Sequence, residues 1–159
     1  MNITIVCVGK IKEAFYRDAL SEYAKRLSRY CKFKIEEVAD EECKENASDA
    51  EEEAVKVKEG ERLLKKIPAS AYVYALAING RKLDSVAFSK ELGNLFVSGR
   101  SEICFVIGGS IGMNNRWYTE MVLEKARRYM VQPDIRVAYS VFGDDAGLYG
   151  AALLAGDFA

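Results

Sequence analysis

The chain has 159 residues, of which 50% are apolar and 30% are charged, with only 2 prolines. These figures fit one folded domain and exclude a disordered or collagen-like chain. Lys and Arg number 23 against 24 Asp and Glu, so the net charge of -1 does not by itself indicate a nucleic-acid binder. The chain has no histidine, which excludes His-dependent triads, histidine metal sites and imidazole general bases.

The start of the chain and its cysteines bear on the compartment. The first residues, MNITIVCVGK, lack the basic start and long apolar stretch of a secretory signal, and no apolar run reaches the ~20 residues that span a bilayer. The four cysteines, Cys7, Cys31, Cys43 and Cys104, show no C-x-x-C spacing. We therefore expect a cytoplasmic protein without membrane or metal, in which Cys7 and Cys104 are reduced thiols that act as small buried hydrophobes.

The first half of the chain alternates between two hydrophobic periods. Residues 3–8 form an apolar, β-branched run that ends at Gly9 and predicts a buried strand. From residue 12 the apolar positions recur every three or four residues, which predicts one helix face through residue 30. The members of that face are Phe15, Ala19, Tyr23, Leu27 and Tyr30. Residues 33–38 then suggest a short strand, and residues 51–66 a charged helix closed by Pro68.

The second half repeats this alternation. Residues 72–78 predict a buried strand stopped by the Asn79-Gly80 turn, and Ser85 is the expected cap of the helix that follows. Residues 103–107 predict a third buried strand, followed by Gly108 and Gly109. Beyond them we expect a helix at 117–130, a strand at 135–141 and a small-residue helix at 146–155. The whole pattern predicts a single α/β domain whose mostly parallel sheet is flanked by helices.

A basic cluster lies between residues 25 and 34 and contains no acidic residue. It is either the solvated face of a helix and a strand edge, or a patch that contacts phosphates. The members of this basic cluster are Lys25, Arg26, Arg29, Lys32 and Lys34. The ten acids against one lysine between residues 36 and 53 are expected to form a solvated face.

Three predicted strands end in glycine or other small residues, at Gly9, at Asn79-Gly80 and at Gly108-Gly109. Ligands of open α/β sheets bind outside the carboxyl ends of strands, and glycine lets the backbone approach a ligand without a Cβ clash. The same glycines also serve strand-to-helix turns, so the pattern alone leaves both roles open. No Gly-Lys-Ser/Thr follows, which excludes a Walker A loop.

Several of these motifs together resemble a known family. The segment from MNITIVCVGK through KFKIEEV, the KEGERLLKKI helix, the YALAINGRK turn and the FVIGGSIG strand end are similar to the RlmH family over about residues 1–112. This family belongs to the SPOUT class of methyltransferases. The resemblance implies a trefoil knot and a homodimer that uses S-adenosylmethionine to methylate N3 of a pseudouridine in large-subunit (23S) ribosomal RNA of the assembled ribosome.

The resemblance also implies site residues. The cofactor would lie against Leu76, Gly108 and a third loop, onto which residues 137–142 fall by position: Val137, Ala138, Tyr139, Ser140, Val141 and Phe142. The basic cluster would contact RNA. The third-loop motif and both histidines of the family are missing, and no catalytic residue can be assigned.

The last part of the chain departs from that family. Residues of about 114–158, and above all FGDDAGLYGAALLA, resemble the carboxyl-terminal end of ROK-family sugar kinases, so residues 113–159 form an atypical tail of the domain. Kinase activity is not expected, because the chain lacks a phosphate-binding loop and a second lobe. The alternatives to a methyltransferase are a non-catalytic RNA- or ribosome-associated module and an inactive chimera with a sugar-kinase-like tail.

Overall fold

A computed structural model describes residues 1–43, 46–76 and 80–109 of the chain. Within these residues four strands and three helices alternate. The strands are β1 (Asn2–Val8), β2 (Lys32–Val38), β3 (Tyr72–Leu76) and β4 (Glu102–Ile107), and the helices are α1 (Ala14–Leu27), α2 (Asp49–Leu64) and α3 (Ser85–Val97). The predicted α/β class is confirmed.

The strands form one parallel sheet in the order β2-β1-β4-β3. The steps from β1 to β2 and from β3 to β4 run in the same direction across the sheet, whereas the step from β2 to β3 runs back. Right-handed crossovers therefore require α1 and α3 on one face and α2 on the other. The core agrees with this requirement, because Leu27 and Leu92 pack on one face and Leu63 packs on the other.

Continuous apolar runs form β3 and β4 because both faces of these two strands are covered by side chains of the core. On the α2 face, Val73 and Val106 pack with Leu63, and on the opposite face Tyr74 stacks on Phe105 with 5.1 Å between ring centroids. Phe88, Leu92 and Leu95 of α3, which lie four and three residues apart and so share one helix face, contribute to the second cluster. These clusters fix the strand ends at which a ligand site is expected.

Two details of the helices differ from the prediction. Asp84, not Ser85, caps α3, and its carboxylate accepts a hydrogen bond from the N–H of Ala87 at 2.7 Å. Both residue types can cap, and the helix begins one residue after the one that does. A capping box of Ser48 and Glu51 begins α2, which the sequence analysis did not identify.

The predicted apolar face of α1 is only partly buried. Leu27 is buried, but Phe15 is 62% exposed and Tyr30 is 68% exposed. Tyr30 lies beyond the last helical residue, so helical spacing no longer applies to it. Phe15 lies in the first turn, where its ring packs on that of Tyr16 with 4.0 Å between centroids. The expectation of one helix face that continues through Tyr30 is therefore wrong, because the helix ends at Leu27.

Candidate ligand site at the carboxyl edge of the sheet

Leu76 and Gly108 lie side by side at the carboxyl edge of the sheet. Leu76 pairs in register with Ile107 of the neighbouring parallel strand, and Gly108 directly follows that pair. Leu76 is half-buried and Gly108 is buried. The structure thus brings together two of the positions that the sequence analysis assigned to a cofactor. The positions of the third loop, 137–142, and the atypical tail lie outside the described residues, so the expectation of a trefoil knot is not tested by them.

The next residue, Gly109, is in contact with a carboxylate. A Cβ atom added to Gly109 would lie 2.7 Å from Oε2 of Glu59, closer than such atoms can approach. The only glycines with positive φ in the described part of the chain are Gly9 and Gly99, so backbone conformation does not explain a glycine at 109. Space beside Glu59 does.

Glu59 lies on α2 and is only 4% exposed. Its Oε1 accepts a hydrogen bond from the N–H of Glu41 at 3.1 Å, whereas its buried Oε2 has no hydrogen-bond partner among the described residues. Burial is the main cause that raises the pKa of this carboxyl group, and the negative charges of Asp40 and Glu41 raise it further. The N–H of Glu41 and the charge of Arg62 oppose the shift.

The same helix binds the loop after β2 through two cations. Arg62 pairs with the carboxylate of Glu41 and donates from Nη1 to the carbonyl oxygen of Ala39 at 2.8 Å. Lys58 Nζ lies 3.3 Å from the other carboxylate oxygen of Glu41. Arg62 and Lys58 together lower the pKa of Glu41. The K-E-G-E-R stretch at 58–62 therefore joins α2 to the carboxyl edge of the sheet, and Glu41 is paired rather than merely solvated.

The segment after β3 is anchored on the other face. Arg81 pairs with Glu91 of α3, and the buried hydroxyl of Tyr74 donates to Glu91 Oε1 at 3.1 Å. Burial first, and then the neighbouring carboxylate, raise the pKa of Tyr74 far above its ordinary value. Tyr74 is therefore a structural hydrogen-bond donor and not an acid–base group at neutral pH.

The basic cluster lies at the opposite edge of the sheet. Lys25 and Arg26 are in the last turn of α1, and Lys32 is the first residue of β2. A strand of 7 residues separates this amino edge from the carboxyl edge by about 20 Å. The structure therefore does not bring the basic cluster together with Leu76 and Gly108.

The cluster is also divided within itself. Strand alternation puts Lys32 and Lys34 on the face of Val38, which α2 covers, whereas α1 covers the other face. Arg26 pairs with Glu22 at 3.0 Å on the exposed surface of α1, and Lys34 pairs with Glu36. In the described part of the chain Lys25, Arg29 and Lys32 form no ion pair, and exposed pairs such as that of Arg26 are weak enough for a phosphate to displace.

The cysteines do not supply a reactive group at this edge. Cys104 is buried in β4, and burial raises the pKa of its thiol to about 12. Cys7 is half-buried, and the pKa of its thiol is raised to about 11, again mainly by burial. All four cysteines are free thiols. Cys104 confirms the expected burial, and Cys7 is less buried than expected. Within residues 1–43, 46–76 and 80–109 no group of three or more His, Cys, Asp or Glu side chains could bind a metal.

Glu59 is the residue that the sequence analysis missed. In the sequence it is one acid among many in a charged helix, and the expected solvated face gave no reason to single it out. The sequence feature that could have indicated Glu59 is its place in the K-E-G-E-R stretch, where Gly60 and the apolar pair Leu63 and Leu64 mark the side of the helix that faces the core.

No helix among the described residues combines the length and the apolar character needed to cross a bilayer.

Comparison with known proteins gives one consistent family. The family model described as "Predicted SPOUT methyltransferase" matches residues 1–126, which extends beyond residue 112. The chain is 52% identical over 126 residues to the ribosomal RNA large subunit methyltransferase H of Levilactobacillus brevis, a match that covers 79% of this chain and 76% of that protein.

Proteins with the same name from other bacteria are equally similar. The one from Limosilactobacillus reuteri is 54% identical over 114 residues, and the match covers 72% of each chain. The one from Clostridium kluyveri is 51% identical over 115 residues, again with 72% of each chain covered. Each of these matches thus covers more than two thirds of the relative's own length.

Proposed function

This chain belongs to the SPOUT methyltransferase family, and from that premise we propose that it transfers a methyl group from S-adenosylmethionine to large-subunit ribosomal RNA. The observation that supports the donor site is the adjacency of Leu76 and Gly108 at the carboxyl edge of parallel strands. The names of the relatives support the RNA substrate. The RlmH resemblance supports N3 of a pseudouridine in 23S RNA as the target atom.

The residues present at this edge fit the proposed methyl donor. Gly108 and Gly109 carry no side chains, so no Cβ atom separates the backbone N–H and C=O groups of this segment from a nucleoside bound against them. Leu76 adds an apolar, half-buried wall on the next strand. When bound, S-adenosylmethionine supplies a methyl group on a positively charged sulfur that is already a good leaving group.

Such a transfer depends mainly on positioning the two reactants. The role of the protein's residues is to bind the donor, to orient it and to exclude water from the space between the donor and the target base. Methylation at N3 also releases the imide proton of the target base, which can leave to bulk water, so the absence of histidine is compatible with this reaction. By the family resemblance we assign residues 137–142 as the third loop of the proposed donor site.

We assign the basic cluster a contact to the RNA backbone that is remote from the donor site. The basic cluster and the proposed donor site are about 20 Å apart along the sheet. A folded RNA could span this distance on one subunit, or the basic cluster of one subunit could bind RNA whose target base lies at the donor site of the other subunit. Exposed apolar side chains of α3, Phe96 and Val97, support the homodimer. Action on ribosomes supports a cytoplasmic location.

Calorimetric titration of the purified protein with S-adenosylmethionine tests the proposed function, with ATP and magnesium as the control ligand. We expect saturable binding of S-adenosylmethionine and none of ATP. Ribosome binding without donor binding would favour a non-catalytic ribosome-associated module. A folded protein that binds neither S-adenosylmethionine nor ribosomes would favour an inactive chimera, in which the atypical tail at 113–159 does not complete the site.

A further inference from the structure

Glu59 contacts two of the loops at the carboxyl edge at once. Its Oε1 accepts the N–H of Glu41 in the loop after β2, and its Oε2 lies against Gly109 in the loop after β4. These two strands are not neighbours, because β1 lies between them in the sheet. The side chain of Glu59 is therefore a direct link between segments that the sheet itself does not pair.

Helix α2 keeps Glu59 in this place. Lys58 and Arg62, one residue before and three residues after it, both bind Glu41, and Arg62 also binds the carbonyl of Ala39. Gly60 is buried and Leu63 anchors the helix in the core. The loop after β2 is thus bound to α2 through the side chains of Lys58, Glu59 and Arg62. Glu59 also contacts Gly109 and so connects this loop and helix to the loop after β4.

Stability of the fold does not account for a carboxylate at this position. A buried acid with one oxygen unpartnered costs free energy, and an apolar side chain of similar volume would fill the same space at lower cost. Nor does the backbone require Gly109, whose φ is not positive. The buried carboxylate of Glu59 lowers the stability of the fold by itself, yet it fits closely against Gly109. This combination indicates that the position of the loop after β4 is itself important.

We propose that Glu59 is a positioning residue of the methyl-donor site, which sets the place of the Gly108–Gly109 turn by contact with Gly109 and by its bond to Glu41. The proposal rests on the proposed function, since it adds a determinant to the same site. Glu59 acts through the turn and does not touch the reacting atoms. A side chain at position 109 requires the Glu59 carboxylate to shift, because its Cβ would lie 2.7 Å from Oε2, and we expect this shift to weaken the bond of Oε1 to Glu41.

A double-mutant cycle tests this proposal. S-adenosylmethionine is titrated into the wild type, Glu59→Ala, Gly109→Ala and the double variant, with folding checked by circular dichroism. We expect each single variant to weaken binding about tenfold, and Gly109→Ala to add less than about twofold in the Glu59→Ala background. Glu59→Gln is the conservative variant, and since its amide oxygen still accepts from Glu41 it should bind within about threefold of the wild type.

Gly93→Ala is the matched control for the glycine substitution, because a Cβ at Gly93 of α3 meets nothing within 4 Å. It should leave binding unchanged. If Glu59→Ala does not fold, Glu59→Asp replaces it in the cycle, because one methylene less withdraws the carboxylate from both Gly109 and Glu41.

The outcomes separate the two levels of the account. A folded wild type that does not bind S-adenosylmethionine overturns the proposed function, and with it the role of Glu59. Wild-type binding together with unchanged affinity in Glu59→Ala overturns this proposal alone. Equal losses from Gly109→Ala in both backgrounds also overturn it, because Gly109 would then be required by the ligand and not by Glu59.

Discussion

Leu76 of β3 pairs with Ile107 of β4, so that Gly108 lies one residue beyond this pair at the same edge of the sheet. The two positions are far apart in the sequence, and only the parallel register of β3 and β4 makes them neighbours. A ligand that contacts the end of one strand therefore meets the other. This relationship is the geometric basis of the proposed donor site.

The buried Gly108 provides the first prediction. Gly108→Val places a branched side chain where the backbone must meet the donor, and we expect at least a ~100-fold loss of affinity for S-adenosylmethionine by calorimetry. The same substitution at the exposed helical Gly93 is the control and should not change binding. Unaltered affinity of a folded Gly108→Val protein would remove Gly108 from the site.

The basic cluster provides the second. Charge reversal at Arg26 and Arg29 should weaken binding to ribosomal RNA and lower the slope of log affinity against log salt by about 1.5, as expected for two lost phosphate contacts. Lys82→Glu combined with Lys90→Glu, at two exposed lysines outside the cluster, is the control for net charge. If the slope of the double variant equals that of the control, the cluster is only a solvated face.

Tyr74 provides a prediction about stability. Tyr74→Phe removes the hydroxyl that donates to Glu91 and leaves this half-buried carboxylate with Arg81 alone. We expect a loss of about 1–2 kcal/mol in the free energy of unfolding, measured with urea. Tyr30→Phe, at an exposed tyrosine, should change it by less than ~0.5 kcal/mol. Equal effects of the two substitutions would contradict the assigned role of the Tyr74–Glu91 bond.

The pKa of Glu59 predicts a pH dependence of stability. Because burial raises this pKa in the folded state, the folded protein binds the proton more readily than the unfolded chain does. The contribution of Glu59 to stability is therefore full below the ordinary glutamate pKa, and it is lost as the pH rises through the raised value. Asp40 and Glu41 reinforce this behaviour, and Arg62 and the Glu41 N–H oppose it.

Glu59→Gln cannot titrate and isolates that contribution. Melting temperatures of the wild type and this variant are compared from about pH 4 to about pH 8. The wild type should lose stability relative to Glu59→Gln as the pH rises. Glu36 and Glu41, whose pKa values are lowered by paired cations, behave in the opposite sense in both proteins and cancel in the difference. A constant difference across this range would show that the carboxyl group of Glu59 titrates normally.

Much of the fold could be predicted from the sequence because local patterns determine it. The apolar runs that include Val73 and Val106 are continuous since both faces of their strands are covered, and this predicts a parallel sheet directly. Phe88 and Leu92 lie four residues apart on α3, a spacing that puts both side chains on one helix face, and both pack in the core. The same runs predict strands over residues 72–78 and 103–107, whereas Leu76 and Gly108 are named as cofactor positions through the family resemblance.

The parts that failed depend on contacts between distant segments. Helical spacing included Tyr30 in one helix face, but it cannot show that the helix ends at Leu27. Capping chemistry could not choose between Asp84 and Ser85, which are adjacent and both suitable. Glu59 has the pattern of a solvated acid, and its sequence neighbourhood does not show that its carboxylate is buried next to Gly109, which follows a strand far away in the sequence.

Methyl transfer to ribosomes is the most direct test of the central claim. Ribosomes from cells that lack the corresponding methyltransferase are incubated with this protein and S-adenosylmethionine labelled in its methyl group. We predict label in large-subunit RNA, dependent on the protein and abolished by Gly108→Val. A folded protein that binds ribosomes but leaves their RNA unlabelled would contradict the account.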